Sequence, residues 1–245
     1  MSVRTGCAAS TALAPMVDGP PRPLVVAHGS STGWQLVDAS GRVVACLLSP
    51  RSLRLPHGIV VSSPLPDARP APVWLGAGRL RMGDDEHRVA RWWRPAEPRH
   101  TDLQDRIDER AAAVVLGTWR SRLGAGDGLT PYADDVICGA LITLLATGHP
   151  VGAKLAAAVD VADLEVATTA TSAGLLRQAA HGRCIDPLAG YLASLTRDEA
   201  VRDRCLARLE EVGHSSGRGM AEGVHTVLPG PPPARRSADT TVAAA

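Results

Sequence analysis

The chain has 245 residues, a length that accommodates one large domain or two small ones around a buried core. Apolar residues make up 45% and aromatic residues only 3%, with no Phe, so Leu, Val, Ile and Ala must fill that core. The net charge of +1 gives no basic surface of the kind that binds nucleic acid, and no nucleic-acid partner is expected.

The ends of the chain and its cysteines indicate where the protein works. Residues 1–22 lack periodicity and are predicted to be a disordered leader, and residues 229–245 are predicted to be a disordered tail. The five cysteines have no Cys-x-x-Cys spacing, which favours reduced thiols in a cytoplasmic protein. The longest apolar run, 136–146, is far shorter than the ~20 residues that cross a bilayer, so no membrane partner is expected.

Residues 23–99 are predicted to form a β-rich domain. Gly, Pro, Ser and Asp separate short apolar or alternating segments, and "DASG" at 38–41 predicts a hairpin turn. Strands are expected at 24–29, 34–49 on both sides of that turn, 58–63, 73–82 and 86–93. Strands this close together favour a small antiparallel sheet or a barrel.

Residues 100–228 are predicted to form a helical domain. The helical segments expected from periodicity and punctuation are 101–119, 130–148, 151–166, 168–181, 187–195, 197–212 and 215–228. Thr101 with Gln104, and Thr196 with Glu199, match the capping-box pattern. The predicted fold class is therefore α+β, with a small antiparallel β-rich N-terminal part followed by a mainly helical C-terminal part.

The stretch "GAGDGLTPYADD", from Gly124 to Asp135, precedes the most hydrophobic segment of the chain. Thr130 is expected to cap the following helix, and Pro131 suits its first turn. A Gly-rich loop ahead of a helix start brings backbone N–H groups close to a ligand, which favours a phosphate or carboxylate site. The candidate anion-binding residues are Gly124, Gly126, Gly128, Leu129 and Thr130. The helix itself is expected to be central and buried.

Asp134 and Asp135 are candidate catalytic residues and tentative metal ligands. Adjacent helical residues point ~100° apart, so one carboxylate can turn to the loop and the other to a neighbouring helix. Alternatively, the two share a Mg²⁺ ion with waters and substrate, or they only favour the positive helix end. No cofactor other than Mg²⁺ is indicated.

A second loop, "GHSSG" at 213–217, also precedes a predicted helix. His214 is a candidate catalytic residue here, and Ser215, Ser216 and Gly217 are candidate anion-binding residues; ordinary capping by Ser is the alternative. Ser172 on an Ala-rich helix either lines a polar pocket or aids close packing. His28 and His57 lie in predicted turns, where surface histidines are more common than ligands.

The loop, the segment "TTATSAGLLRQAAHG" and the segment "GHSSGRGMAEGV", in this order and spacing, resemble the AllH-type family. One member of that family is a subunit of a bacterial oxamate carbamoyltransferase. The family's loop usually reads G-x-G-P-G-L-T-P-S-G-D-D, and its later motif reads G-H-[ST]-S-G. The resemblance covers about residues 24–228, most securely 117–228.

The resemblance implies a role in carbamoyl transfer during allantoin and purine catabolism. In that reaction oxalurate and phosphate give oxamate and carbamoyl phosphate, so it implies a small anionic substrate and companion carbamoyltransferase subunits. The chain departs from the family loop at Asp127, where Pro is usual, and at Tyr132-Ala133, where Ser-Gly is usual. These departures favour the alternative of a non-catalytic anion-binding or assembly subunit.

Overall fold

The computed structural model describes residues 4–65 and 72–229. Within these residues no helix is both long enough and apolar enough to cross a membrane. The tail predicted to be disordered lies, from residue 230 onward, outside the described residues.

Eight strands form a closed barrel in the order β1-β5-β4-β3-β2-β6-β7-β8. Their bounds are β1 Arg4–Ser10, β2 Arg22–Gly29, β3 Gly33–Val37, β4 Val43–Leu48, β5 Gly58–Val60, β6 Val73–Gly76, β7 Arg79–Met82 and β8 Asp85–Trp93. The predicted hairpin turn is confirmed, because β3 and β4 pair antiparallel and the Gly41 N–H donates to the Asp38 carbonyl at 3.0 Å.

The predicted small antiparallel sheet is wrong, because the strands close into a barrel with two parallel pairings, β1 with β8 and β4 with β5. Closure leaves no free strand edge. Residue alternation identifies a strand but not its partners. The β1–β8 pairing, which closes the ring, joins Arg4 to Glu86 across most of the N-terminal part.

The leader predicted as disordered is also structured from Arg4 onward. After β1 the chain forms a 3₁₀ turn, Thr11–Leu13, and a short helix, α1 Ala14–Val17. Leu13 and Val17 are buried in the apolar interior of the barrel. Strand β1 consists largely of small residues without a regular period, so its structure depends on pairing with the distant strands β5 and β8.

The remaining helices follow a 3₁₀ segment, Thr101–Arg106. Their bounds are α2 Glu109–Arg122, α3 Tyr132–Ala146, α4 Pro150–Asp160, α5 Leu164–Ala167, α6 Ala170–Ala180, α7 Asp186–Ser194, α8 Glu199–Glu210 and α9 Ser216–Val227. The two predicted capping boxes are wrong: Asp108 and Asp198 cap α2 and α8 by accepting backbone N–H groups of Ala111 and Val201.

Helix α3 is the centre of the helical part, as predicted, and all its residues except Tyr132 and Leu145 are buried. It packs most closely against α9. A Cβ atom at Gly139 would overlap the backbone of Met220, and one at Gly223 would overlap the Val136 carbonyl. The two helix backbones therefore approach so closely that their N-terminal ends lie side by side.

The barrel and the helices are packed together rather than separate. Val43 on β4 is buried in the apolar cluster of the helical part, and its N–H donates to Oε1 of Glu165 at 2.9 Å. Glu165 in turn pairs with the buried guanidinium of Arg177 on α6. These contacts hold one end of the barrel against α6. The predicted domain boundaries, 23–99 and 100–228, stay a prediction.

Candidate functional site

A cleft of about 670 Å³ lies between the barrel and the helices. The barrel contributes residues near the ends of β2, β3 and β4 and the loop after β4, and the helical part contributes residues 127–130 and 212–216. Both loops that were singled out in the sequence therefore line one cavity. Its volume falls in the range of ordinary small-molecule sites.

The first loop turns through glycines that occupy the left-handed region of backbone conformation. Gly124, Gly126 and Gly128 have φ angles of +73°, +117° and +95°. A Cβ at Gly126 would lie 2.7 Å from the Tyr132 nitrogen, whereas one at Gly128 would meet no atom within 4 Å. Gly126 thus folds the loop onto the start of α3, and Gly128 presents backbone to the open cleft.

The two loops meet at Thr130 and Ser216, whose hydroxyl oxygens lie 2.6 Å apart. The expectation that Thr130 caps α3 is wrong, since Pro131 holds the N-cap position and no side chain caps the helix. Helix α9, which begins at Ser216, also has no side-chain cap. First-turn N–H groups of both helices bond instead to backbone carbonyls: the Ala133 N–H donates to Ala125 and the Gly217 N–H to Val212, each at 3.0 Å.

Asp135 lies in the first turn of α3 beside this hydroxyl pair and is only 2% exposed. Its Oδ2 atom has no hydrogen-bond partner within the described part of the chain. Burial raises the pKa of Asp135 to about 7; the Ser216 and Thr130 hydroxyls favour the charged form, and the neighbouring Asp134 disfavours it. Asp135 is therefore a carboxyl group that can hold a proton near neutral pH.

Asp134 has different hydrogen-bond partners from Asp135. Its Oδ1 accepts the Gly124 N–H at 2.8 Å, and its Oδ2 accepts the Thr168 hydroxyl. These bonds tie the start of the Gly loop to the segment before α6. Among residues 4–65 and 72–229, no group of three or more His, Cys, Asp or Glu side chains is placed to hold a metal ion. The structure thus offers a shared Mg²⁺ ion no further protein ligands of these types.

The predicted site residues divide into two groups. Those that line the cleft are Gly128, Leu129, Thr130, His214, Ser215 and Ser216. Those that lie behind its surface or in the packing around it are Gly124, Gly126, Asp134, Asp135, Ser172 and Gly217. Ser172 is buried in α6, and its hydroxyl has no partner among the residues that the structure describes; a Cβ at Gly217 would overlap the Leu209 carbonyl of α8.

The region of the chain that carries these two loops has a family match. Residues 122–228 match the model of the family described as oxamate carbamoyltransferase subunit AllH. The resemblance inferred from the Gly-Leu-Thr-Pro…Asp-Asp loop and the Gly-His-Ser-Ser-Gly motif is thereby confirmed for this region. No solved structure matches the chain.

The match to the AllH family covers the helical wall of the cleft, and the barrel wall lies outside the matched residues. Among the positions where the loop departs from the usual family pattern, Asp127 is exposed and lines the cleft. The Tyr132 hydroxyl donates to Oε2 of Glu222 on α9 at 2.6 Å, and Ala133 is buried. Two of the three substitutions are therefore accommodated by packing and a hydrogen bond outside the cleft lining.

Sequence reasoning missed the barrel wall of the cleft. It includes Ser30, Gln35, Arg51 and Ser52, together with His28, which was expected to be an ordinary surface histidine. The Ser- and Gly-rich turns "HGSSTG" and "SPRS" were the available signal, but nothing in them indicated that both face the same helical loops. The expectation of a surface position is wrong for His57, which is 1% exposed.

Proposed function

We propose that this chain is an oxamate carbamoyltransferase-like subunit that binds a small carbamoyl- or phosphate-bearing anion in the cleft. It would act in a cytoplasmic complex with companion subunits, in the conversion of oxalurate and phosphate to oxamate and carbamoyl phosphate. The observation that supports this most is the contact between Thr130 and Ser216. It joins the two loops of the AllH-matched region at two helix starts that lack side-chain caps.

The electrostatics of this wall suit an anion. The N-termini of α3 and α9 place partial positive charge at this wall, which favours a phosphate or carboxylate group. One hydroxyl of the Thr130–Ser216 pair donates to the other, which leaves the second hydroxyl hydrogen for a ligand, and Arg51 contributes a cation from the opposite wall. The same donors would stabilise an oxyanion that develops on the carbamoyl carbon.

A negative carboxylate beside a bound anion would weaken binding by a few kcal/mol at an effective dielectric constant of ~20. Asp135 avoids this cost when it is protonated, and its pKa of about 7 allows that near neutral pH. Its carboxyl group lies behind the hydroxyl pair, so we infer that it acts on the ligand through Thr130 and Ser216 rather than by direct contact.

The proposed reaction requires the movement of one proton. An oxygen of hydrogen phosphate attacks the carbamoyl carbon of oxalurate, the bond from that carbon to the oxamate nitrogen breaks, and the phosphate proton ends on that nitrogen. Asp135 with the Thr130 and Ser216 hydroxyls forms a path that can accept and return a proton. Positioning of the two reactants supplies the rest of the rate enhancement.

A second candidate function is a non-catalytic anion-binding or assembly subunit. Asp127 favours it, because an exposed carboxylate in the cleft lining opposes a phosphate unless Arg51 or a companion subunit offsets its charge. In that case the cleft would bind an anion without turnover, or its loops would contact a companion subunit.

Calorimetric titration of the full-length chain with phosphate, carbamoyl phosphate and oxalurate, alone and with companion subunits, tests the proposal. Thr130→Val and Ser216→Ala should each weaken binding about 10-fold, the effect of one lost hydrogen bond. Thr118→Val and Ser121→Ala are matched controls, since their exposed hydroxyls donate to carbonyls of their own helix α2. No heat from any ligand under any condition would refute the anion site, and binding without turnover in the complete assembly would favour the second candidate.

A further inference from the structure

A buried polar chain lies on the barrel wall of the cleft, opposite the two helix starts. Gln35 on β3 is 4% exposed and lines the cleft. Its Nε2 donates to Sγ of Cys46 at 3.4 Å, and its Oε1 lies 3.4 Å from Nε2 of His57. Both polar atoms of the Gln35 amide therefore have a partner at the point where this side chain lines the cavity.

The neighbours of Gln35 determine which way its amide points. The thiol of Cys46 donates its hydrogen to the Leu47 carbonyl at 3.5 Å, so its sulfur accepts the Gln35 N–H. Burial raises the pKa of Cys46 to about 12, which keeps that hydrogen in place. The nitrogen of the Gln35 amide consequently faces Cys46, and its oxygen faces His57.

His57 completes this arrangement as a donor. Burial lowers its pKa to about 4, so the ring is neutral and carries a single N–H. Its Nδ1 has no partner among the described residues. Placing the hydrogen on Nε2 lets it donate to Gln35 and leaves Nδ1 as an unpaired acceptor, which costs less than an unpaired buried N–H.

The position of His57 is itself restricted by α6. A Cβ atom at Gly174 would lie 2.6 Å from Nε2 of His57, so only glycine leaves room for the ring there. The three side chains form one directed series, from His57 to Gln35 to Cys46, which uses the Gln35 oxygen and one of its two N–H groups. The second N–H of Gln35 has no partner in residues 4–65 and 72–229.

We propose that Gln35 is a specificity-determining residue whose second side-chain N–H donates to a carbonyl or carboxylate oxygen of the ligand, and that His57 is its positioning residue. This inference rests on the proposed function, in which the cleft binds a small anion. The helix starts would hold the phosphate or the carbamoyl group, and Gln35 would bind the carbonyl-bearing acid on the opposite wall. Inorganic phosphate, which lacks that acid group, would gain nothing from Gln35.

Loss of the Gln35 donor should weaken binding of oxamate but not binding of inorganic phosphate. A site with a buried N–H rejects a ligand that leaves this N–H unpaired, because the unpaired donor costs binding free energy. Gln35→Met keeps the size of the side chain and removes the donor. We expect the Kd for oxamate to rise about 10-fold, as for one lost hydrogen bond, while the Kd for inorganic phosphate stays within twofold.

Calorimetric titration of the full-length chain with oxamate and, separately, with inorganic phosphate provides the measurement. Gln104→Met, at an exposed glutamine outside the cleft lining, is the matched control and should change neither Kd. If Gln35→Met does not fold, Gln35→Glu decides the matter, because it keeps the oxygen that faces His57 and replaces the donor by an acceptor. That variant should lose oxamate affinity by more than 10-fold.

The positioning role of His57 needs a readout other than stability. His57→Phe should reduce the ratio of oxamate to phosphate affinity, and His57→Gln, which restores a side-chain N–H, should recover at least part of it. If the wild type binds neither these two ligands nor carbamoyl phosphate nor oxalurate, alone or with companion subunits, the proposed function fails and this inference falls with it. If the wild type binds both and the Gln35 variants change both affinities equally or not at all, only this inference is overturned.

Discussion

Thr130 and Ser216 are 86 positions apart in the chain, and their hydroxyl oxygens lie 2.6 Å from each other. Their contact follows from the packing of α3 on α9, in which glycines at 139 and 223 let the two backbones meet without intervening side chains. A ligand at this point would meet the hydroxyl pair and the positive ends of both helices at once. Helix packing thus brings together the two loops of the helical wall of the cleft.

The first prediction concerns the burial of α3. Leu141 is fully buried at the centre of this helix, so Leu141→Asp places an unpaired charge in the apolar core. We expect the variant not to fold, as measured by circular dichroism and thermal melting. Val161→Asp, at a residue that is 80% exposed, is the control and should change stability by less than about 0.5 kcal/mol. A Leu141→Asp variant that melts like the wild type would contradict the central position of α3.

The second prediction concerns the pH dependence that Asp135 gives to stability. The folded-state pKa of about 7 lies above the ordinary value of 3.8, so the folded chain keeps a proton that the unfolded chain releases. The resulting stabilisation is fully present below about pH 4 and is lost as the pH rises through 7. Relative to Asp135→Asn, the wild type should lose on the order of 4 kcal/mol of unfolding free energy over this range.

Urea denaturation of both proteins between pH 4 and pH 8 measures this difference. Asp163→Asn, at an exposed carboxyl group, is the matched control and should follow the wild-type curve. A constant difference between the wild type and Asp135→Asn across the range would show that Asp135 is ionised throughout. The same variant should leave binding of phosphate less dependent on pH if the carboxyl group acts through Thr130 and Ser216.

The third prediction compares three glycines. Gly128→Ala introduces a side chain at a φ of +95° where no atom lies within 4 Å, so strain alone should cost about 1–2 kcal/mol. Gly126→Ala should cost more, because its Cβ would also lie 2.7 Å from the Tyr132 nitrogen. Gly117→Ala, in helix α2 with open space around it, should instead stabilise by about 0.5–1 kcal/mol. Thermal unfolding of the three variants gives the order, and equal effects at 126 and 128 would contradict the loop geometry.

The fourth prediction tests the connection between the barrel and the helices. Glu165→Ala leaves the buried Arg177 guanidinium without its carboxylate and the Val43 N–H without its acceptor. Removing one partner of a buried pair should cost about 3–5 kcal/mol in urea denaturation. Glu199→Ala breaks the exposed pair with Arg202, at 3.9 Å, and should cost less than about 1 kcal/mol. Similar losses in the two variants would show that the Glu165 pair is not an important contact.

Local sequence pattern was sufficient to predict most of the strands and helices but not how the strands pair. The segments at 24–29, 73–82 and 86–93 contain strands because alternation and turn residues mark them. Strand β1 carries neither signal, and it closes the barrel by pairing with β8 some 80 residues away. The energy of that pairing comes from the partner strand and the closed ring, which no local window of sequence contains.

The sequence predicted the helical wall of the cleft but not its barrel wall. The two loops of the helical wall were recognised because glycines, a Thr-Pro pair and helix starts are local features with a physical meaning. Gln35 was not recognised as a residue of the cleft, nor His57 as its buried neighbour, since the surroundings of a glutamine in a strand and a histidine in a turn depend on what packs around them. Ser172, a polar residue on an Ala-rich helix, was a candidate for lining the pocket, yet it lies buried in α6 behind the cleft surface.

The sequence by itself determined the elements that depend on neighbouring residues. These are the hairpin at 38–41, the buried helix α3, and the Gly-rich turn at 124–130. Only the tertiary structure decided the closure of the barrel, the meeting of Thr130 with Ser216, and the separate environments of Asp134 and Asp135. The reason is physical: backbone conformation and capping are set over a few residues, whereas burial, pKa and the walls of a cleft depend on atoms that the chain brings together from far apart.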